Sequence, residues 1–541
     1  MKTSFKVLIF TAIVGAIFLA HTFLNKPIIN PEKVSSNSPK TVSKNQTIKP
    51  QRISSANNFE DDSNPLFDAD LLNTILLQAS NDYVLNVEDA DYFNQSSFDA
   101  EGNGFEIIEK INELDVFRIK IKNPLSFAKF LDDSENDFEL QNNAKLTIPS
   151  FPDSRLLEKE EPFSGTSMQW LGANGDRWSS GEGIKVAILD TGIDPNHPAL
   201  DGVVFSELSL IDEGRSHENK GHGTGIASII AGQGEEFLGL APASEILSLQ
   251  VLDENGAGDS FTIAKGIISA VDQGADIINL SLGGATASSV MEKAIQYAKS
   301  KDVIMIASVG NDGDLGVAYP ARHQDVVAVS SVDKKSRVSA FANFGPEVDI
   351  SAPGVGIFTA WEDNEIVSFS GTSIATAFVT AALSSELSKS SFFSKDQAVK
   401  VLYENADETE KPGKDIWAGR GVLNIRRLEQ REDPNVVDAA IVGYYFDSKN
   451  LQYSGTTPFY VTVQNQGTSW IQSMNLKVRY KGLVKDFRIG NLEKGQVKSE
   501  TLYFDSGIKD KKLSISSELN LNNQTDHYPA NNFRKSTLVL P

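Results

Sequence analysis

A run of small and apolar residues between Ile374 and Leu383 constrains the fold of this chain more than any other stretch. The run is rich in helix-forming residues and has no polar face, which is typical of a helix buried on all sides. Ser373 stands directly before it, so we expect this serine in the first helical turn, where unpaired backbone N–H groups and the positive end of the helix dipole converge. That position suits the stabilisation of an oxyanion, although an ordinary helix N-cap explains the serine more simply.

The composition is that of a globular protein long enough for several domains, with 541 residues of which 40% are hydrophobic and 23% charged. The formal net charge of -22 argues against nucleic acid as a partner, because binding to phosphates needs basic surfaces. The chain has no cysteine, which excludes a disulfide framework, thiol chemistry and cysteine-ligated zinc.

The N-terminus has the pattern of an export signal. Lys2 and Lys6 precede an apolar run over residues 7–24, as in a secretory signal, and this run is also nearly long enough to act as a membrane tether. We therefore predict a secreted or cell-envelope protein in which residues 1–24 are either a cleaved signal peptide or a membrane anchor. Residues 25–64 are polar and are predicted to be a flexible linker.

Residues 65–149 are predicted to form a small α/β unit. We expect a strand at 83–87, a helix at 105–114, and then further strands on either side of a second helix. This order, β-α-β-α-β, is a split βαβ pattern. Alone, such a unit could be any small binding module. Its position before the following domain favours a pro-segment, with residues 150–166 as a processing linker.

Residues 167–430 alternate apolar strands with helices, which predicts a parallel sheet covered by helices on both faces. The expected strands are 184–189, 245–252, 276–280 and 303–309, and the expected crossover helices are 260–273 and 288–300. In such folds the ligand site lies beyond the carboxyl ends of the strands. Asp190 and Asn311 both fall there.

Residues 434–541 have a different pattern, with short strands of period two and turn residues between them, for example at 459–463 and 476–480. Several such strands without helices predict a β-sandwich. No cluster of residues in this region suggests chemistry.

Three short segments carry candidate catalytic residues, namely Asp190-Thr-Gly192 after a strand, Gly221-His222-Gly-Thr224, and Gly371-Thr-Ser373. Each is weak alone, because a strand-end aspartate is often part of a turn and a lone histidine is more often structural. In the chain order Asp, His, Ser, each with its glycines, they resemble the subtilisin-like serine proteases, the subtilases of peptidase family S8.

The resemblance covers residues 167–427, and further motifs carry it. They are Ser281-Leu-Gly-Gly284, Gly310-Asn311, Tyr319-Pro-Ala321, Ala352-Pro-Gly354 and Gly419-Arg-Gly-Val-Leu423. Residues 65–149 resemble an inhibitor-type (I9-like) subtilase propeptide, which implies a ferredoxin-like α+β fold. Residues 434–541 resemble the Ig-like (CARDB-like) modules of bacterial secreted proteins.

The resemblance implies a role for each candidate catalytic residue. Ser373 would be the nucleophile, and His222 would take its proton and later pass a proton to the leaving amine. Asp190 would fix the tautomer of the imidazole and stabilise its charged form. The side-chain amide of Asn311 and the backbone N–H of Ser373 would stabilise the oxyanion.

The resemblance also implies that two backbone edges clamp an extended polypeptide substrate by strand addition. These edges are Gly256, Ala257 and Gly258 on one side and Ser281, Leu282 and Gly283 on the other. The S1 pocket would be bounded by Gly310, Asp312 and Ala318. Asp312 would favour a basic or neutral P1 residue, unless it is simply solvated at the rim.

The leading hypothesis is an exported serine endopeptidase made as a zymogen, with its own propeptide as intramolecular inhibitor and a self-cleavage site between about Ile148 and Ser167. Two alternatives remain: a maturation protease dedicated to one partner, and a catalytically silent scaffold whose C-terminal domain binds a surface or a protein. No cofactor is predicted to be required. The loop at 233–237 is too short for the calcium loop of many subtilases, because calcium needs six or more oxygen ligands. Calcium at weaker sites remains possible but is not predicted from the sequence.

Overall fold

The computed structural model describes residues 82–87, 102–133, 138–211, 219–234, 237–389, 394–409, 411–446, 456–505 and 512–539. The predicted export segment 1–24 and linker 25–64 lie outside these residues. The chain divides into two compact units: one ends at Asn142, and the other comprises Ile111–Val116 together with all residues from Asn143 onward.

The first unit is built on a four-stranded sheet with the order β2-β3-β1-β4. Its elements are β1 (Tyr83–Val87), β2 (Phe105–Ile111), β3 (Val116–Ile121), α1 (Pro124–Asp133) and β4 (Phe138–Asn142). Aromatic side chains dominate its core, where the rings of Phe105, Phe127 and Phe130 lie within 5.2 to 6.4 Å of one another. The stretch between β1 and β2 lies outside the described residues, so the ferredoxin-like fold stays a prediction.

The predicted helix at 105–114 is wrong. The stretch forms β2, and only Asn112–Leu114 makes a single turn of 3-10 helix. The apolar residues Phe105, Ile108 and Ile111 are three apart, but the strand places Phe105 in the core with the half-buried Ile107 packed against it, and it leaves Ile108 39% exposed. Clustered β-branched residues favour a strand, and that preference outweighed the three-residue spacing.

The second unit contains a seven-stranded sheet with the order β15-β14-β13-β12-β6-β10-β7, in which every pair is parallel. The elements up to its last helix are, in chain order, β5 (Lys145–Thr147), α2 (Ser154–Leu157), α3 (Ser167–Leu171), β6 (Lys185–Asp190), β7 (Phe205–Ser209), α4 (Gly221–Ala231), β8 (Gln233–Gly234), β9 (Phe237–Leu238), β10 (Glu245–Gln250), β11 (Ala257–Asp259), α5 (Ser260–Asp272), β12 (Ile277–Leu280), α6 (Ser289–Ser300), β13 (Ile304–Ser308), β14 (Val326–Val332), β15 (Ile350–Pro353), β16 (Ile357–Ala360), β17 (Ile366–Phe369), α7 (Thr372–Lys389), α8 (Lys395–Glu404) and α9 (Ile425–Gln430). The predicted parallel sheet and its two crossover helices are confirmed.

Helix α7 is the buried helix that the sequence predicts. Every residue from Thr372 to Glu386 is buried, and the helix packs against α4 and against the central strands. Its apolar side chains belong to the same core cluster as those of the sheet. Ser373 lies in its first turn, as expected.

The C-terminal region forms two antiparallel sheets, with the orders β18-β19-β22 and β21-β20-β23-β24. Its strands are β18 (Ala439–Phe446), β19 (Thr456–Asn465), β20 (Met474–Tyr480), β21 (Leu483–Ile489), β22 (Val497–Asp505), β23 (Lys512–Leu521) and β24 (Phe533–Val539). Apolar side chains from both sheets share one core, and the Ig-like classification stays a prediction. Within the described part of the chain, no helix combines the length and apolar character that crossing a membrane requires.

A buried carboxylate, directly before the first strand of the C-terminal sheets, contacts the first turn of α9. Asp438 is 1% exposed, accepts a hydrogen bond from Arg426 at 2.9 Å and accepts another from Asn531 at 2.7 Å. The guanidinium of Arg426 also lies over the ring of Tyr528, 3.7 Å from its centroid. Burial raises the pKa of Asp438 to about 6, although Arg426 acts in the opposite direction.

We expect this carboxylate to make stability depend on pH. Because the pKa of Asp438 is higher in the folded chain than in the unfolded chain, protonation favours folding, so its contribution is fully present below about pH 4 and is lost as pH rises through about 6. Asp438→Asn cannot titrate. The wild-type free energy of unfolding, relative to that of the variant, should therefore fall by about 1–3 kcal/mol between pH 4 and pH 7 in urea titrations.

The matched control for that measurement is Asp486→Asn, at an exposed position in β21. A difference between wild type and Asp438→Asn that stays constant from pH 4 to pH 7 would contradict the prediction.

Candidate active site

Asp190 and His222 meet at the carboxyl edge of the parallel sheet. Asp190 ends β6, His222 is the second residue of α4, and both are buried, with exposed fractions of 0% and 3%. The Nδ1 atom of His222 lies 2.8 Å from each carboxylate oxygen of Asp190. The backbone N–H of Thr191 also donates to Asp190, at 2.7 Å. The carboxylate therefore fixes the imidazole and assigns the Nδ1 proton to the shared hydrogen bond.

Glycines allow this close approach of helix and strand. A Cβ atom at Gly223 would lie 2.1 Å from the carbonyl oxygen of Gly192, and one at Gly221 would lie 2.3 Å from the Trp361 indole. No side chain larger than hydrogen fits at either position. Gly223 is therefore a packing requirement of the Asp–His contact, and Gly221 is one of the contact with Trp361.

Ser373 lies in the first turn of α7 and is 1% exposed. Its Oγ atom has one long contact, 3.5 Å from the carbonyl oxygen of Ser281, which is too long for a strong hydrogen bond. The Nε2 atom of His222 is buried and has no hydrogen-bond partner among the described residues. The structure thus makes the Asp190–His222 contact but not a hydrogen bond between His222 and Ser373. Such contacts often tighten only when substrate binds.

Asn311 presents an oriented amide donor. Its Oδ1 atom accepts hydrogen bonds from the backbone N–H and the hydroxyl of Thr372, at 3.0 and 2.9 Å. These two bonds turn its Nδ2 atom towards the cleft, where it donates to the backbone carbonyl of Ser150 at 2.9 Å. The predicted oxyanion donor therefore contacts a peptide carbonyl of the chain itself.

The chain's own segment 145–150 occupies the predicted substrate cleft. Strand β5 pairs antiparallel with β11, with Thr147 opposite Ala257 and Leu146 opposite Gly258. On the other side, Thr147 exchanges two backbone hydrogen bonds with Gly283, at 3.0 and 2.8 Å. The two predicted edges thus bind one extended peptide between them.

The remaining predicted cleft residues are Gly256, Ser281 and Leu282. Gly256 contacts the segment, and Ser281 contacts Ser373. The carbonyl of Gly256 accepts from the N–H of Ile148 at 2.9 Å. Ser281 donates its hydroxyl to the carbonyl of Ser373 at 3.1 Å, and Leu282 is buried. Together they fix the cleft wall next to the serine.

The three residues predicted to bound an S1 pocket also come together. The methyl group of Ala318 would lie 3.6 Å from a Cβ atom at Gly310. Asp312 is exposed, and its backbone N–H donates to Asn343 at 2.8 Å. The sequence analysis did not predict Asn343. This residue contacts Asp312 from a loop that is distant in the sequence and has no recognisable motif.

An aromatic cluster beside His222 was also missed. The ring of Phe369 lies 5.5 Å from the imidazole of His222, 5.7 Å from Trp361 and 5.6 Å from Phe151. Phe369 and Trp361 lie close in the sequence to Ser373, and the antiparallel β16–β17 hairpin brings them to the site. Two aromatic residues just upstream of the serine were the available signal.

No group of three or more acidic or histidine side chains suited to a metal occurs among the residues that the structure describes. Glu235 and Glu236, the two carboxylates of the loop at 233–237, lie outside those residues.

A buried Asp–His pair, a serine at the start of a buried helix, and an amide donor on a peptide carbonyl together define the class of serine peptidases. The model of the subtilase family matches residues 181–425. A thermostable alkaline protease from Halalkalibacterium halodurans is 31% identical over 351 residues, which cover 64% of this chain and 92% of that protein. The chain belongs to the subtilase family.

Other relatives agree with this assignment. Thermitase from Thermoactinomyces vulgaris is 39% identical over 205 residues, which are 37% of this chain and 74% of thermitase. Among solved structures, the epidermin leader peptide processing serine protease (EpiP) from Staphylococcus aureus is similar, with a TM-score of 0.54 and 25% identity. The similarity covers 65% of this chain and 98% of that one.

We expect Gly223→Ala to destabilise the protein. The added methyl group would lie 2.1 Å from the carbonyl of Gly192, so strand end and helix would have to separate. The free energy of unfolding should fall by about 1–3 kcal/mol, as measured by urea denaturation. Gly175→Ala is the matched control, because nothing lies within 4 Å of a Cβ atom there. Equal stability of the two variants would contradict the packing argument.

Proposed function

We propose that this subtilase is an exported serine endopeptidase, made as a zymogen that cleaves its own N-terminal segment. Ser373 is the nucleophile, His222 the general base and then general acid, and Asp190 the group that orients the imidazole and stabilises its charge. Asn311 donates to the oxyanion. Export rests on the signal pattern of residues 1–24, and we propose no required cofactor.

The hydrogen bond from Asn311 to the carbonyl of Ser150 is the observation that carries this proposal. An oxyanion donor that contacts one carbonyl of a segment bound in the cleft supports the proposal that a nucleophile attacks at that carbonyl. That bond is Ser150–Phe151, inside the interval predicted for processing. The pairing of residues 145–148 with both edges supports a role of the same segment as an intramolecular inhibitor.

The proposed self-cleavage proceeds in two steps. The Oγ atom of Ser373 attacks the carbonyl carbon of Ser150 while His222 takes the hydroxyl proton. The C–N bond then breaks, the proton passes to the amine of Phe151, and an acyl-enzyme remains. Water, deprotonated by His222, hydrolyses the ester and frees Ser373. Intramolecular attack makes this cut fast even at a poor site.

A maturation protease dedicated to one partner is the second candidate. The structural relative from Staphylococcus aureus is described as a leader peptide processing protease, which supports a narrow substrate range for this chain. A catalytically silent scaffold is the third alternative, with the C-terminal sheets as its binding part. The buried and paired Asp190 and the oriented Asn311 favour an active enzyme over the scaffold.

Ser373→Ala should abolish both self-cleavage and hydrolysis of an unfolded protein substrate, because it removes the hydroxyl that would attack the carbonyl carbon. Mass spectrometry of the purified chain should show the N-terminal segment still attached, and a fluorophosphonate probe should label the wild type but not the variant. Persistent cleavage in the variant would disprove the catalytic assignment. Failure of the wild type to react with the probe would favour the silent scaffold.

Asn311→Ala should lower kcat by about 10²–10³ and leave KM nearly unchanged, because the lost donor acts on charge that develops in the transition state. Steady-state kinetics on a chromogenic peptide tests this expectation. The control is Asp314→Ala, whose side chain is exposed three residues further along the chain and should leave kcat and KM unchanged. A rise in KM at constant kcat would assign Asn311 to ground-state binding instead.

A further inference from the structure

Phe151 follows the carbonyl that Asn311 contacts, so it is the residue that carries the leaving amine if Ser150–Phe151 is cut. Its ring centroid lies 5.6 Å from that of Phe369, with an angle of 57° between the ring planes. This distance and tilt fall within the range that aromatic pairs prefer. Phe151 therefore contacts the protein through a specific ring–ring geometry.

Phe369 is held rigidly in place for this contact. It ends β17, pairs with Ile357 across the hairpin and is 7% exposed. Trp361 packs edge-to-face against it at 75° and also covers Gly221, where no side chain fits. The same Phe369 ring meets the imidazole of His222 edge-to-face at 73°. One ring thus borders both the general base and the residue after the proposed scissile bond.

We propose that Phe369, supported by Trp361, forms a subsite that selects peptides with an aromatic residue directly after the scissile bond, an inference that rests on the proposed endopeptidase function. Phe151 remains 65% exposed, so the subsite is an open platform that cannot exclude residues by size. Selection then depends on the electrostatic attraction between the face of one aromatic ring and the edge of another. An aliphatic side chain cannot make this interaction. The contact also restrains the leaving nitrogen near the imidazole that must protonate it.

The test compares peptides that span residues 145–155 and carry Phe, Leu or Ala at position 151, with the enzyme purified after self-cleavage. The wild type should cleave the Phe peptide with a kcat/KM about threefold to tenfold above that of the Ala peptide. The ratio should fall to about two or less in Phe369→Leu, which keeps apolar volume in β17, and should be retained in Phe369→Tyr. Each Phe/Ala ratio of kcat/KM is measured with a single enzyme variant. A general loss of activity in that variant lowers both values equally and leaves the ratio unchanged.

A double-mutant cycle covers the case in which Phe369→Leu does not mature. Self-cleavage of the full chain should be slowed by Phe151→Ala and by Phe369→Leu, and the double variant should be no slower than the slower single variant. Equal Phe/Ala ratios in wild type and Phe369→Leu, or additive effects in the cycle, would overturn the subsite.

Mass spectrometry of the released products separates failure of this subsite from failure of the function. A cut at another bond, with Ser373 still labelled by the fluorophosphonate probe, would overturn the subsite and leave the endopeptidase standing. No cleavage of any peptide and no labelling of Ser373 would overturn both.

Discussion

The site depends on one buried electrostatic contact, that between Asp190 and His222. A carboxylate without solvent exposure is costly unless it is paired and hydrogen-bonded, and here the imidazole Nδ1 and the N–H of Thr191 supply those partners. The pairing requires that α4 begin against the end of β6. Gly223 permits this approach because its lack of a Cβ atom leaves room for the carbonyl of Gly192. The order of the parallel strands then brings Asn311, beyond β13, to the same edge of the sheet.

Much of the catalytic fold could be predicted from the sequence, because its signals are local and mutually consistent. Short apolar runs predicted the bounds of parallel strands to within two residues, for example those of β6 and β10. The small-residue run after Ser373 marked α7. The glycine after His222 lies where two backbones approach closely, because a Cβ atom at Gly223 would lie 2.1 Å from the carbonyl oxygen of Gly192, whereas Gly371 packs against the side-chain amide of Asn311. Motif and packing therefore pointed to the same residues.

The sequence could not supply contacts between distant segments that lack a motif. Asn343 closes the wall beside Asp312, and no local sequence pattern marks it. Phe369 lies just upstream of Ser373 in the sequence, but that position alone does not show that its ring contacts both His222 and Phe151. The strand β2 was mistaken for a helix because its apolar residues also fit a spacing of three. Only the packing of Ile107, and not Ile108, into a sheet decides between the two. The roles of the catalytic residues remain predictions that kinetics must test.

The pairing of residues 145–148 with both edges of the cleft has a consequence for how such a chain would become active. An occupant on the same polypeptide competes at an effective concentration in roughly the millimolar range, which dilution does not reduce. A peptide of similar affinity that arrives from solution at a lower concentration would displace only a small fraction of it. If the chain is cut as proposed, that advantage is lost, and the off-rate of the severed fragment would then set the length of the lag before turnover.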